Sequence, residues 1–516
     1  MNRKSDKCEA GNCQLKSVRS DKCVLHCEKK GYSYDRHEPS FLLAFYTELR
    51  NYIVNYIISS GSRIGQLPLS KDEIEDYLDN DVELRLITQT QMNRDIVFDN
   101  IVFPARDSRD HYDYFKLLKK LKSAHFNYCT FSLSGIDINE LKVFYQDCKF
   151  NSYWTVYHSE LLGNVNNTLY QCCSFEGDVS VNSEEGADAS KNYSIFTDCH
   201  FYKKLDICNA TISSLIFNNS PNIIVNMKEV NLVNSIIEGK FVLNKTILDI
   251  FNAENTSFKS KFELKENTVK EFTIFNTNFH KIFDAYKTKF DSYVSKKCIF
   301  YDFTGFELCE FGLLNEQLAT FEYVTFLGFV NYRNAIFHGG LDLENTNLKE
   351  APNFLKIKIY SGNTNRETYR IIKNSFDKVG NNIEANKFFS LEMRQYKVEL
   401  SKQPISQETV IFWLNKNISN FGMSYIRPVF LILIFSIIYQ GLISAYHNNI
   451  LYKIAPEYNS YISFFSDFIN NLASNIIPFN KFLFEGMEFL SLVFYIVFAS
   501  LIWQTIVSIK KHTRSN

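Results

Sequence analysis

The sequence predicts a mainly β protein: a right-handed β-helix with helical caps, followed by an α-helical transmembrane hairpin. Three observations carry this expectation. Large apolar residues recur every 10 or 11 positions through the middle of the chain, each with a mostly small residue two places before it. Two uncharged apolar runs, 428–446 and 489–509, stand near the end. Helical patterning flanks the repeat, at 40–57 and at 365–400.

Composition bounds what such a chain can do. Its 516 residues leave room for two to four domains and a large core. A formal net charge of −1 supplies neither a basic field for nucleic acid nor an acidic one for cations. Aromatics reach 16%, with 47 Phe and 30 Tyr, so rings should dominate the interior. The first seven residues are polar and no apolar stretch follows before Phe41, so no secretion signal is expected. The 12 cysteines then read as thiols in a reducing compartment rather than as disulfides.

Residues 1–35 carry the sharpest chemical signal, Cys8-x4-Cys13-x9-Cys23-x2-His26. Four N/S donors in one short polar stretch suit a tetrahedral zinc ion, which can organise a segment that has no core of its own. Cys27 competes with His26 for the fourth place. With no open position, the zinc would be structural rather than catalytic. Lys16, Arg19 and Lys22 are basic, but Glu9, Asp21 and Glu28 dilute their field, so nucleic acid is not an expected partner. Within 36–94, Ser40 can cap a helix with Phe41, Leu42, Phe45, Leu49, Tyr52, Ile53, Tyr56 and Ile57 on one side. Such a helix would cover the first coil of the repeat, which otherwise exposes an open edge, or else contact another copy.

The repeat spans 95–360. Its large positions run Ile237, Ile247, Phe258, Val269, Phe279, Phe290, Phe300, Phe311 and Phe321, resuming with Phe326, Phe337 and Leu348. Two residues before them stand Ser235, Lys245, Thr256, Asn267, Thr277, Thr288, Cys298, Cys309 and Ala319, then Val324, Ala335 and Thr346. A separation of two puts both residues on one strand face. Two steps of 10–11 make a coil of about 21 residues, with two inward pairs on opposite walls and a column of aromatics between them. An amphipathic helix would instead place apolar residues regularly at i+3 and i+4. A looser version comes earlier, in Cys129/Phe131, Cys148/Phe150, Cys173/Phe175, Cys199/Phe201 and Ala210/Ile212, with room for a loop at 182–191. The cysteines fall in the small inward slot, as buried hydrophobes.

On these pairs the stretch from about 95 to 355 resembles the pentapeptide-repeat family. In that family, right-handed quadrilateral β-helices turn a central Leu or Phe and a small residue two before it inward. The match is degenerate, with Thr, Cys and Ser replacing much of the family's Ala. The Cys23-Val24-Leu25-His26 segment is similar to the second ligand pair of small Cys3His knuckles that occur ahead of such repeats.

Residues 361–424 are expected to form a helical connector broken at Gly380. Tyr369, Ile372, Phe376 and Val379 make one stripe, and Phe388, Leu391 and Tyr396 another. Its Glu384-Ala385-Asn386-Lys387-Phe388-Phe389 segment resembles a helix hairpin found between pentapeptide repeats and paired membrane helices in bacterial proteins. It serves either as a plain connector or as an element coupling solenoid to membrane.

In 425–516 the two apolar runs, of 19 and 21 residues, can cover the ~30 Å hydrocarbon core at about 1.5 Å per helical residue. Arg427 precedes the first, while Lys510, Lys511 and Arg514 follow the second, so both termini are expected in the cytoplasm of a bacterial inner-membrane protein. The stretch 461–479 is broken by Asp467, Asn470, Asn471, Ser474, Asn475 and Pro478. A re-entrant or interfacial helix fits it. Helix, re-entrant segment, helix resembles the ion-channel-like module of some bacterial pentapeptide-repeat proteins. No Thr-Val-Gly-Tyr-Gly filter is present, so the resemblance does not extend to potassium selectivity. A pore would need several copies, with Gln440, Asp467, Asn471 and Gln504 as polar candidates.

No phosphate-binding glycine loop, Gly-x-Ser-x-Gly turn or His-Glu-x-x-His motif occurs, and no enzymatic activity is expected. The functional expectation is a membrane effector: a cytoplasmic solenoid sensor controlling an oligomeric channel-like hairpin, by analogy in stress or antiphage defence. The rival is a tethered, non-conducting interaction scaffold with a protein partner on the solenoid. Near-neutral charge sets aside the DNA-mimicking role of soluble pentapeptide-repeat proteins.

Overall fold

The computed structural model describes residues 7–10, 13, 15–18, 21–29, 40–62, 71–80, 95–106, 112–163, 168–182, 193–314, 316–360, 362–402, 404, 406–447, 464–470 and 483–513. From residue 95 to 360 the chain winds as a β-solenoid of about ten turns. Strand pairing among the described residues is parallel and forms sheets of sixteen, seven, six and five strands.

The winding follows from how the sequence alternates. Between 246 and 285 the inward pairs are Thr246/Leu248, Phe251/Ala253, Thr256/Phe258 and Phe262/Leu264, then Asn267/Val269, Phe272/Ile274, Thr277/Phe279 and Phe283/Ala285, all buried. Each pair sits on one strand face, and a step of five or six residues carries the chain to the next wall. A coil therefore holds four inward pairs, not two. The intervening walls put the ring first and the smaller residue second, an order that a small-then-large pattern passes over. Phe258, Phe279 and Phe300 lie in register, 21 residues apart.

The corners explain why the small slot is so often polar. The residue before it adopts positive φ, as at Asn234, Asn255, Asn276 and Lys297. Asn tolerates this left-handed conformation better than most residues. The next side chain then bonds nearby carbonyls, some of which also accept a backbone N–H from the preceding coil. Thr256 Oγ1 donates to Glu254 O (2.9 Å) and Leu232 O (3.3 Å), and Thr277 Oγ1 to Phe275 O (3.0 Å) and Ala253 O (3.1 Å). Cys148, Cys199 and Cys298 do the same through Sγ. All 12 cysteines are free. The corner asparagines also bond one another, Asn276 to Asn255 to Asn234 to Asn209, at 2.8, 3.1 and 3.3 Å. Such ladders reward exact stacking of like residues.

Two readings of the repeat need correction. Lys245 and Ile247 do not point inward; Lys245 occupies a left-handed corner at φ 51°. Ile247 is 45% exposed and Leu248 1%, so the inward register here is Thr246/Leu248. A one-residue slip inverts every side chain of a strand. The step from Phe311 to Phe321 also leaves the series: Phe311 pairs with Phe337, whereas Phe321 packs on Tyr293 at 4.9 Å.

The interior is a stack of rings. Phe98, Phe126, Tyr145 and Tyr170 lie parallel at centroid spacings of 5.1, 5.2 and 4.7 Å. Phe241, Phe262 and Phe283 continue further along, at 4.9 and 5.0 Å. Helix α1 (Ser40–Ser62) covers the first coil. Its Phe45, Leu49, Ile53 and Ile57 are buried, and Tyr52 stacks on Phe98 at 5.8 Å. Helix α2 (Lys71–Asp79) is tied to α1 by Arg50 Nε to Asp79 at 3.0 Å. Helices α3 (Phe115–Leu118) and α4 (His158–Gly163) interrupt early coils.

Residues 365–516 form a second compact unit. It contains α5 (Arg366–Lys378), α6 (Asn382–Ser401), α7 (Gln407–Ser419), α8 (Ile426–His447) and α9 (Glu488–Thr513). Gly380 takes φ 75° at the break between α5 and α6, where Asn381 caps α6 by accepting from Glu384 N at 3.3 Å. Tyr369, Ile372, Phe376 and Phe388 are buried between the two helices. Val379 does not belong to that stripe: it is the C-cap residue, outside helical geometry, and is 72% exposed. Helices α8 and α9 pack through Tyr439, whose ring stacks on Phe494 at 4.7 Å and whose hydroxyl donates to Ser491 at 2.9 Å.

Candidate functional site

The N-terminal segment has little apolar material, and its order comes from local bonds. Cys8 N donates to Leu15 O (3.0 Å), and a tight turn sends His26 N and Cys27 N back to Cys23 O at 3.1 and 2.9 Å. These turns bring Cys8, Cys13, Cys23 and His26 together, with their ligand atoms all within 4.8 Å of one another. The Cys13 and Cys23 sulfurs lie 3.8 Å apart, and His26 Nδ1 lies 3.1 Å from Cys23 Sγ and 3.5 Å from Cys8 Sγ. A tetrahedral ion with metal–sulfur bonds of about 2.3 Å and metal–nitrogen bonds of about 2.0–2.1 Å requires S···S of roughly 3.8 Å and S···N of roughly 3.5 Å. The donor set therefore fits a four-coordinate metal ion. The four sequence-predicted ligands converge as one cluster.

Cys27 is not part of it. Its thiol is buried and directed at Val24 O (3.8 Å), and Lys29 Nζ stands 3.7 Å away. Lys29, which the sequence did not single out, closes the turn from below by donating to Val24 O (2.7 Å) and Cys27 O (2.8 Å). Val102 N donates to Leu25 O at 2.9 Å, anchoring the segment to the first coil.

Burial works against charge in this cluster. It pushes the Cys23 thiol up to about 12 and raises Cys13 as well, while burial together with Lys29 lowers His26. At Cys8, burial is outweighed by backbone contacts from Cys23 and Ala10, and the thiol is lowered. A bound cation would hold all three sulfurs as thiolates.

The membrane-polar candidates have separate settings among the described residues. Gln504 Oε1 accepts from Ser419 Oγ (2.9 Å) and Gln504 Nε2 donates to Asn415 Oδ1 (3.5 Å), so it is used within the unit, against α7. Gln440 is exposed on α8, next to Tyr439, and its side chain has no hydrogen-bond partner among the described residues. Asp467 is exposed within a helical turn at 464–470, and Asn471 lies outside the described residues. Asn470, one position before Asn471 and three after Asp467, is the buried polar residue there. Its amide donates to Gly486 O (2.7 Å) and its Oδ1 accepts from Phe489 N (3.0 Å), capping α9. Spacing alone carried no signal that distinguished it from Asn471.

The most apolar stretch of α8 has a mean hydropathy of 2.1 with none of it buried; that of α9 has 2.1 with 17% buried. By length and composition both helices could cross a membrane. A second buried polar group lies inside the solenoid. Glu160, on α4, accepts from Tyr145 Oη (2.9 Å) and Tyr157 N (3.0 Å), and burial pushes its carboxyl up to about 8.

The chain matches no protein-family model, no curated protein and no solved structure among those compared.

Proposed function

We propose that this chain is a membrane effector in which a pentapeptide-repeat-like solenoid acts as sensor for an oligomeric, channel-like helix pair. The carrying observation is the uncovered apolar surface of α8 and α9: two helices of spanning length whose apolar faces are left open by the other described residues of their unit. A soluble protein would bury such faces. Helix α7 adds support, since Val410, Ile411, Trp413 and Leu414 are exposed on it beside those helices, as on a helix lying in the interfacial layer. Four inward pairs per coil, compatible with a square cross-section, support the repeat family. The basic residues at the span ends support an orientation with both termini in the cytoplasm of a bacterial inner-membrane protein. Stress or antiphage defence is the setting such a layout suits.

In this reading the Cys3His cluster holds a structural zinc ion that fastens the N-terminal segment to the first coil. It has no catalytic role, and no enzymatic reaction is assigned to the chain. The second reading, a non-conducting tethered scaffold, is favoured by one observation: Gln504 is occupied by α7 and does not offer its amide to a pore. Purified protein reconstituted in planar bilayers separates the two. Stepwise currents support the channel; intact oligomers that stay silent under every trigger tried leave the scaffold.

A further inference from the structure

Helix α8 carries polarity on the face that a lipid-exposed helix has least reason to keep. Tyr439 and Phe435 point to α9. Flanking that contact, Ser436, Gln440 and Ser444 recur at i, i+4 and i+8, all exposed, with Gly441 following the amide in sequence. Ser436 is satisfied locally, its Oγ donating to Ile432 O at 2.7 Å. Gln440 is not, and it lies seven residues from His447, or about 10 Å along the helix. Hydrocarbon offers no hydrogen bonds, so a carboxamide at that depth needs a protein partner. A Cβ added at Gly441 would meet nothing within 4 Å, so there is open space next to the amide into which another helix can come close.

We infer that this face of α8 docks a second copy of the same chain, with the Gln440 amides bonding each other across the contact. The occupant follows from the chemistry. A carboxamide both donates and accepts, so a symmetry-related Gln440 satisfies the one it faces without any further group. A lipid tail satisfies neither half. Small residues on either side let the two backbones approach. This assignment rests on the membrane reading of α8 and α9, and it makes Gln440 a contact between copies rather than a group lining an aqueous path.

The test uses the full chain in nanodiscs and in detergent, with stoichiometry read by light scattering and subunit exchange by energy transfer between labelled copies. The wild type is expected to be oligomeric. Gln440→Leu makes the helix more apolar, so poor insertion cannot account for its effect; it should weaken self-association at least tenfold. Gly441→Leu should do the same by bulk, while Gln440→Asn retains the oligomer. Ile506→Ala, on the exposed side of α9, should leave it unchanged. A monomeric wild type in the bilayer, or a Gln440→Leu variant with unaltered association, overturns the interface and leaves the membrane reading standing. Release of the wild type by alkaline carbonate overturns both.

Discussion

Cys27 and Cys23 are four positions apart in a short segment, both buried, and only one belongs to the metal cluster. That difference makes a clean experiment. Cys23→Ser should abolish bound zinc in metal analysis of the purified chain and lower its melting temperature, because ion binding and local folding are one equilibrium. Cys27→Ser should keep the metal, since its thiol is directed at Val24 O and Lys29 Nζ and is not one of the four converging donors. Loss of metal in both, or in neither, would exclude the assigned ligand set. Glu160 supplies a pH prediction of the same residue-level kind. Its carboxyl is raised from 4.5 to about 8 by burial, so between those values the folded state holds a proton that the unfolded state has released. Stability should therefore be greatest below about pH 4.5 as far as this group is concerned, and fall as pH rises through about 8, by an amount on the order of a few kcal/mol. Glu160→Gln should flatten that part of the profile in denaturant titrations; an unchanged slope would count against it. Ligand spacing was legible because four donors in nineteen residues is a local pattern. Glu160 was not legible, because its burial arises from rings of other coils, Tyr145 above all.

At the level of elements, the repeat was legible in period and partly illegible in register. Rings at steps of 10 and 11 gave the coil length, yet Ile247 looked inward because nothing in a list of apolar residues marks a left-handed corner. The corner at Lys245 shifts the strand by one position, and Leu248 takes the inward place. Paired substitutions read this directly. Leu248→Ala should cost about 2–5 kcal/mol, as for other buried leucines, whereas Ile247→Ala should stay within about 0.5 kcal/mol. Equal costs in urea unfolding would mean that the strand is registered differently. The same logic explains the Thr, Ser and Cys that fill the small slot. An Ala there packs as well but leaves carbonyls such as Glu254 O and Leu232 O without the donor that Thr256 now gives them. The α8–α9 element was legible from hydropathy alone. The roles within it were not, because only the folded unit shows that α7 occupies Gln504.

The whole molecule divides into two compact units. Residues 1–364 have a continuous core of stacked rings, an N-terminal helix over the first coil, and a surface on which charged residues are frequent. Residues 365–516 contain both helices of spanning length, and among the described residues their apolar surface is mostly open rather than buried. Fold class and order of parts were readable because each depends on a pattern repeated many times along the chain: ring, corner, ring, then long apolar runs. What the parts do together depends on contacts with other molecules, which repetition does not encode. The division nonetheless makes a prediction about the chain itself. A fragment ending at Thr364 retains the full set of coil-to-coil contacts of its unit, so it should remain in the soluble fraction with a β-rich circular dichroism spectrum. The full chain should sediment with membranes and resist alkaline carbonate, coming off only with detergent. If both proteins were recovered without detergent, the uncovered faces of α8 and α9 would have to be satisfied by protein, and the pair would be an interaction module in water rather than a membrane hairpin.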